Sequence, residues 1–222
     1  MARAAWTLAT CLIPGIAFAA STETPRVSVF EKALNVIFAT VAPQVPEAIR
    51  ERIIRDYEDE KANKGQAIEL IGGRAWRSGV HEDQAVAGDR TLEGCQLRYG
   101  KPCALIAVNE EIVAEGQLAS KDMPRLHYAG EFDLAKIPAI RLVTRNRPDV
   151  QNYFAAAQPK AMAIHPWGKF FISQGNASLK EAEEAALAKC NNDPERNGKD
   201  GGCFLYASNN DVVLSKRLMS SQ

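Results

Sequence analysis

The sequence predicts an α+β fold: two tandem β-β-α-β modules, each with one local disulfide, packed with extra helices as a pseudo-symmetric body. Three observations carry this prediction. The chain repeats itself at a spacing of 96 and then 95 residues, and its cysteines fall into two short-range pairs at matching places in the repeat. Each copy also passes from strand-like to helix-like apolar spacing in the same order.

The repeat is read directly. Tyr57, Lys64, Ala67, Ile68, Gly72 and Gly79 recur 96 residues later as Tyr153, Lys160, Ala163, Ile164, Gly168 and Gly175. After one deletion Ala87, Leu92 and Cys95 meet Ala182, Leu187 and Cys190 at a spacing of 95. The second cysteine loop is five residues longer, and beyond it CALIAVNEEIV faces CFLYASNNDVV without gaps.

The elements follow in order. Residues 1–19 read as a signal peptide, with Arg3, an apolar run, and Ala17 and Ala19 placed for cleavage after Ala19. Segment 20–61 holds an apolar helix at 30–41 and a charged amphipathic helix at 46–61 that carries Ile53, Ile54 and Tyr57. The first module, 62–114, opens with strands at 67–71 and 74–78 around a Gly72-Gly73 turn, a hairpin pattern. A helix at about 82–95 follows, led by His81-Glu82-Asp83 and interrupted by Gly88 at some cost. Strand ALIAV and a short strand at 112–113 complete the module.

Segment 115–158 bridges the copies and holds a helix at about 149–157. The second module, 159–222, repeats the plan with strand 161–165, a Pro166-Trp167-Gly168 turn and strand KFFIS. Ser178 and Glu181 then form a capping box for the helix LKEAEEAALAKC. Tyr57 and Tyr153 are expected to anchor the segments before the hairpins, and Lys64 and Lys160 to be solvated linker residues.

Removal of the signal takes Cys11 and leaves Cys95, Cys103, Cys190 and Cys203. An even count in an exported chain argues for disulfides. Spacing favours Cys95–Cys103 and Cys190–Cys203 among the three connectivities. Closing loops this short contributes roughly 2–3 kcal/mol each. Neither pair has the spacing of a zinc knuckle, so no metal and no cofactor is expected.

These residues resemble a known group. GCQLRYGKPCALIAVNEEIV, and FDLAKIP followed by YFAAAQPKAMAIHP, are similar to uncharacterised exported proteobacterial proteins with alanine-rich, two-cysteine repeat modules, a bacterial domain of unknown function. The resemblance spans about residues 62–214. Group members carry a Gly-Trp-Ala-Ser-Gly-like second strand. Here it reads Ala75-Trp76-Arg77-Ser78-Gly79 in one copy and Phe171-Ile172-Ser173-Gln174-Gly175 in the other. The resemblance implies fold and export and supplies no catalytic residues.

Balanced charge, 27 basic against 27 acidic residues, leaves no electrostatic footprint for nucleic acid. No stable membrane insertion is expected once the signal is removed, and the mature chain is placed in the periplasm or outside the cell. No HExxH, G-x-S-x-G or phosphate-loop pattern occurs. The reading is therefore a non-enzymatic module that binds a protein or envelope component. Its candidate surface is the second hairpin, with His165, Trp167 and Phe170, together with Trp76. The alternative is a small periplasmic hydrolase using His165 or His81 with a nearby carboxylate. His127 lies in the bridge as a packing or surface residue.

Overall fold

The computed structural model describes residues 28–113, 118, 121–196 and 201–220. The expected signal segment and its cleavage point lie outside the described residues.

Two helices come first, α1 (Val29–Val41) and α2 (Glu47–Glu58). Ser28 and Glu31 close α1 with a reciprocal capping box at 2.9 and 3.2 Å. The first half continues as β1 (Gly65–Glu69), β2 (Ala75–Ser78), α3 (Gln84–Tyr99), β3 (Cys103–Val108) and β4 (Glu111–Ile112). The bridge contributes 3-10 turns and two single-turn helices, α4 (Leu142–Arg145) and α5 (Pro148–Gln151). The second half comprises β5 (Lys160–His165), β6 (Lys169–Gln174), α6 (Leu179–Asn191), β7 (Phe204–Ser208), β8 (Asp211–Val212) and α7 (Leu214–Ser220).

The result is a mixed α+β protein with two four-stranded antiparallel sheets, ordered β2-β1-β3-β4 and β6-β5-β7-β8. The same irregularity interrupts both. Between Gln66 and Ala67 the pairing with β3 skips a residue, and between Met162 and Ala163 the pairing with β7 does likewise. Disulfides Cys95–Cys103 and Cys190–Cys203 tie each long helix to the strand that follows it. Among the described residues no helix is long and apolar enough to cross a membrane.

Alternation along the strands assigns the two faces of each sheet. Ile68 and Ala75 pack with α1 and α2, through Leu34, Phe38 and Ile54. Ala67 and Trp76 point the other way, into a core shared with Met162, Ile164, Phe170 and Tyr206 of the second sheet. Ala161 and Ala163 face Ala182 and Ala186 of α6. Each sheet thus has its own helix on one face and the preceding segment on the other. Tyr57 and Tyr153, both fully buried, are the residues those segments deliver.

Several expectations are corrected. The change of spacing from 96 to 95 falls in the hairpin turn, not after Gly79. The left-handed glycines are Gly73 (φ 67°) and Gly168 (φ 72°), a spacing of 95, and the strand after the turn keeps that spacing, with Ser78 opposite Gly65 and Ser173 opposite Ala161. Gly79 therefore does not match Gly175. The residue that shares its positive φ is Val80 (62° against 73°).

The first long helix starts two residues late and runs on to Tyr99, four residues beyond Cys95, because Asp83 alone caps it and Gly100 closes it. Its Gly88 admits Leu105, whose Cδ2 would stand 2.8 Å from an added Cβ. The helix expected at about 149–157 shrinks to one turn, α5, and the chain then turns around Lys160.

Lys64 and Lys160 are not solvated. Lys64 is 8% exposed and Lys160 fully buried. Lys64 Nζ donates to the carbonyls of Tyr57 and Glu58 at 2.8 and 2.7 Å, and Lys160 Nζ to those of Phe154 and Ala156 at 2.7 Å. Each ammonium also lies over a tyrosine ring, Tyr57 at 4.8 Å and Tyr153 at 5.0 Å. An alkyl stem of four carbons reaches from the strand start to carbonyls at the end of the preceding segment. Asn109 and Asn209, both at positive φ, complete the clasp by accepting the N–H of Lys64 and Lys160 at 3.1 and 3.2 Å.

The bridge is held by a charge. Glu93 of α3 is 1% exposed and accepts from Arg90 at 3.3 Å, from Arg125 Nε, and from the N–H of Ala139 at 2.8 Å.

Two stability predictions arise from these clasps. Lys160→Met is expected to cost about 2 kcal/mol in urea unfolding, because the carbonyls of Phe154 and Ala156 lose their donor; a loss near zero contradicts the clasp. Glu93→Ala is expected to cost about 3 kcal/mol or more, since Arg90 is left buried without its counter-charge. Glu93→Gln, which keeps an acceptor for Ala139, is expected to lose less.

Candidate functional site

The residues singled out in the sequence gather on one side of the shared core. Trp76 and Trp167 meet edge to face, with ring centroids 5.4 Å apart. Phe170 is fully buried and stands 6.2 Å from Tyr206, again edge to face. His165 is 2% exposed and Trp76 5%, so Trp167, partly buried, is the one member with appreciable solvent contact. The tip of the second hairpin faces the first half of the chain. Gly94 of α3 makes this possible, because a Cβ there would lie 2.6 Å from Trp76 Nε1 and 3.1 Å from the carbonyl of Pro166.

His165 shapes its own turn. Its Nδ1 accepts the N–H of Trp167 at 3.3 Å. At the matching place in the first hairpin, the Glu69 carboxylate accepts from Ile71 and Gly72, both at 2.8 Å, and pairs with Arg74 at 3.2 Å. Burial opposes the charge on Glu69, but these bonds outweigh it and hold the carboxyl below its usual range. Two different side chains thus perform one task, a side-chain acceptor for the amide two residues on.

His81 is 4% exposed and its Nε2 lies 2.9 Å from Ser78 Oγ, which in turn lies 2.8 Å from Thr91 Oγ1. A serine paired with a histidine invites comparison with a nucleophile and its base. The second half builds the same link without a base: Asn176 Nδ2 donates to Ser173 Oγ at 2.9 Å. The shared role is a tie across the turn from strand to helix. Burial pulls His81 down to about 4, helped by Arg141 and Arg90 and opposed by Glu82. Glu82 itself pairs with Arg145 at 2.9 Å. His127 is exposed, 3.4 Å from Asp122.

A larger opening lies elsewhere. A groove of about 760 Å³ runs between the end of α3, the first cysteine loop, the bridge and α7. Its floor is apolar: Leu97 and Leu126 are almost fully buried, and Phe204 and Leu218 pack partly buried against the same core. Its rim carries Arg98, Lys101, Lys121 and His127 against one acid, Asp122. Lys121 is paired with Asp89 at 2.8 Å. Among the described residues Arg98 and Lys101 form no ion pair. Sequence reasoning missed this groove because its parts come from residues 96–102, 121–127 and 204–218. One signal was present: the loop CQLRYGKPC holds two cations and no acid. Among the described residues no group of three His, Cys, Asp or Glu side chains is placed to hold a metal ion.

Comparison with known protein families, curated proteins and solved structures returned no match.

The buried His81 gives a pH prediction with a definite sign. Its folded pKa lies below the unfolded value, so the unfolded chain takes up a proton that the folded site refuses. Stability is therefore full above about pH 6.5 and falls as pH drops toward 4, by about 3 kcal/mol at most from this group. His81→Asn, which copies the Asn176 link, is expected to remain folded. Its urea midpoint should drop less than the parent's between about pH 7 and about pH 4.5. Equal drops in both proteins would rule out His81 as the source.

Proposed function

We propose that this chain is an exported, disulfide-stabilised, non-enzymatic module that binds a protein or envelope component, and that it is related to the exported proteobacterial two-cysteine repeat proteins. The groove between the two halves carries the reading. It combines an apolar floor with surplus positive charge at the junction of separate chain segments, the kind of place where binding sites concentrate. Two disulfides suit an oxidising compartment such as the periplasm. The binding surface is moved from the second hairpin to this groove, since Trp76, His165 and Phe170 are taken up by contacts within the chain. The duplicated plan of the sequence gives the groove its logic: two modules joined by a bridge leave a seam.

The test uses the mature, oxidised protein immobilised and exposed to the envelope extract of its own cells, beside an Arg98→Glu, Lys101→Glu double variant. A component retained by the parent and lost by the variant supports the reading. Equal retention by both removes the groove as the site, and retention by neither overturns the binding function.

A further inference from the structure

Resting on that reading, we infer that the groove takes a single-chain amphiphile with an anionic head, of the fatty-carboxylate type. The floor asks for an apolar body. Leu97, Leu126, Phe204 and Leu218 line one continuous depression and belong to, or pack against, the same core cluster, so an apolar chain laid on them extends a packed interior. The volume, about 760 Å³, falls in the range of sites that enclose one small molecule.

The rim asks for negative charge. Arg98 lies in the last turn of α3 and Lys101 follows its Gly100 cap, so both line the groove from the C-terminal end of that helix. Cations there complement the negative end of the helix dipole, but the dipole does not account for an open apolar floor beside them. The Arg98 guanidinium sits 5.4 Å from the Tyr99 ring centre, and both residues line the groove. A carboxylate placed there would gain charge-assisted hydrogen bonds that Arg98 and Lys101 do not spend on ion pairs among the described residues.

A peptide fits the walls less well. Strand addition needs a length of free edge, yet β7 gives the groove only its first residue, Phe204. A helix laid in the groove would compete with α7, which already supplies Leu218 from that side. What the lining describes is a groove with an apolar floor and cations among its walls.

Isothermal titration of the mature oxidised protein with dodecanoate, dodecanol and dodecylamine, each below its aggregation concentration, tests the inference. The expected result is one dodecanoate per chain in the micromolar range. Dodecanol should bind about tenfold or more weakly and dodecylamine not at all. An Arg98→Ala, Lys101→Ala variant, altered only at partly or fully exposed positions, should lose about tenfold for dodecanoate while its dodecanol affinity stays put. Leu218→Asp should abolish binding of both, with circular dichroism checking its fold.

Absence of dodecanoate binding overturns the inference. So does equal affinity for dodecanol, or full affinity in the double alanine variant. If dodecanoate fails while the envelope capture still depends on Arg98 and Lys101, the binding function stands and only the amphiphile is lost. If both fail, the groove is not a binding site.

Discussion

The arrangement of the two halves depends on a buried carboxylate. Glu93 sits on α3, almost wholly removed from water, and a charge there is tolerated only when it is paired and hydrogen-bonded. Its partners come from three places: Arg90 one turn earlier, Arg125 in a 3-10 turn of the bridge, and the backbone of Ala139. Satisfying Glu93 therefore draws the bridge onto the outer face of α3. Ala139 adopts a left-handed conformation, and its carbonyl lies so close to Gly168 that a Cβ there would stand 2.3 Å away. The second hairpin is thereby seated against Trp76, and the aromatic contacts of the shared core follow.

The same constraint explains why α3 reads poorly as an amphipathic helix. A helix covered on both sides has no solvent face to mark with a polar stripe, and α3 buries Arg90, Thr91 and Glu93 as well as apolar residues. In α6 the residues five and two before the cysteine, where α3 has Arg90 and Glu93, are Ala185 and Ala188, and its charged side chains face outward. Other pairs of positions keep a task, two of them with changed chemistry and the lysine pair with the same. Glu69 and His165 each accept the amide two residues on, His81 and Asn176 each hold a serine, and Lys64 and Lys160 each clasp carbonyls of the segment before them.

The groove is a product of this assembly. Bridge and α7 both line it beside the end of α3 and the short cysteine loop. The second cysteine loop is longer by five residues. Positive charge collects at the seam because Arg98 and Lys101 sit within a cysteine loop without acids, whereas Arg90 of the same helix and Arg125 of the bridge are spent on Glu93.

Sequence alone determined the elements governed by local rules. Strand alternation, helix periodicity, the Ser178 cap and two short cysteine spacings depend on near neighbours, and both disulfides and both four-stranded units follow from them. The errors mark where distant groups take over. A lysine after a helix reads as solvated until the fold brings it beside a tyrosine ring and onto backbone carbonyls. An aromatic hairpin tip reads as a surface until Gly94 lets another helix approach it. The groove, assembled from three stretches of chain far apart in the sequence, was beyond any periodicity or motif. Which polar groups are buried, and which apolar ones stay open, is decided by what the rest of the chain places against them; only the tertiary structure contains that information.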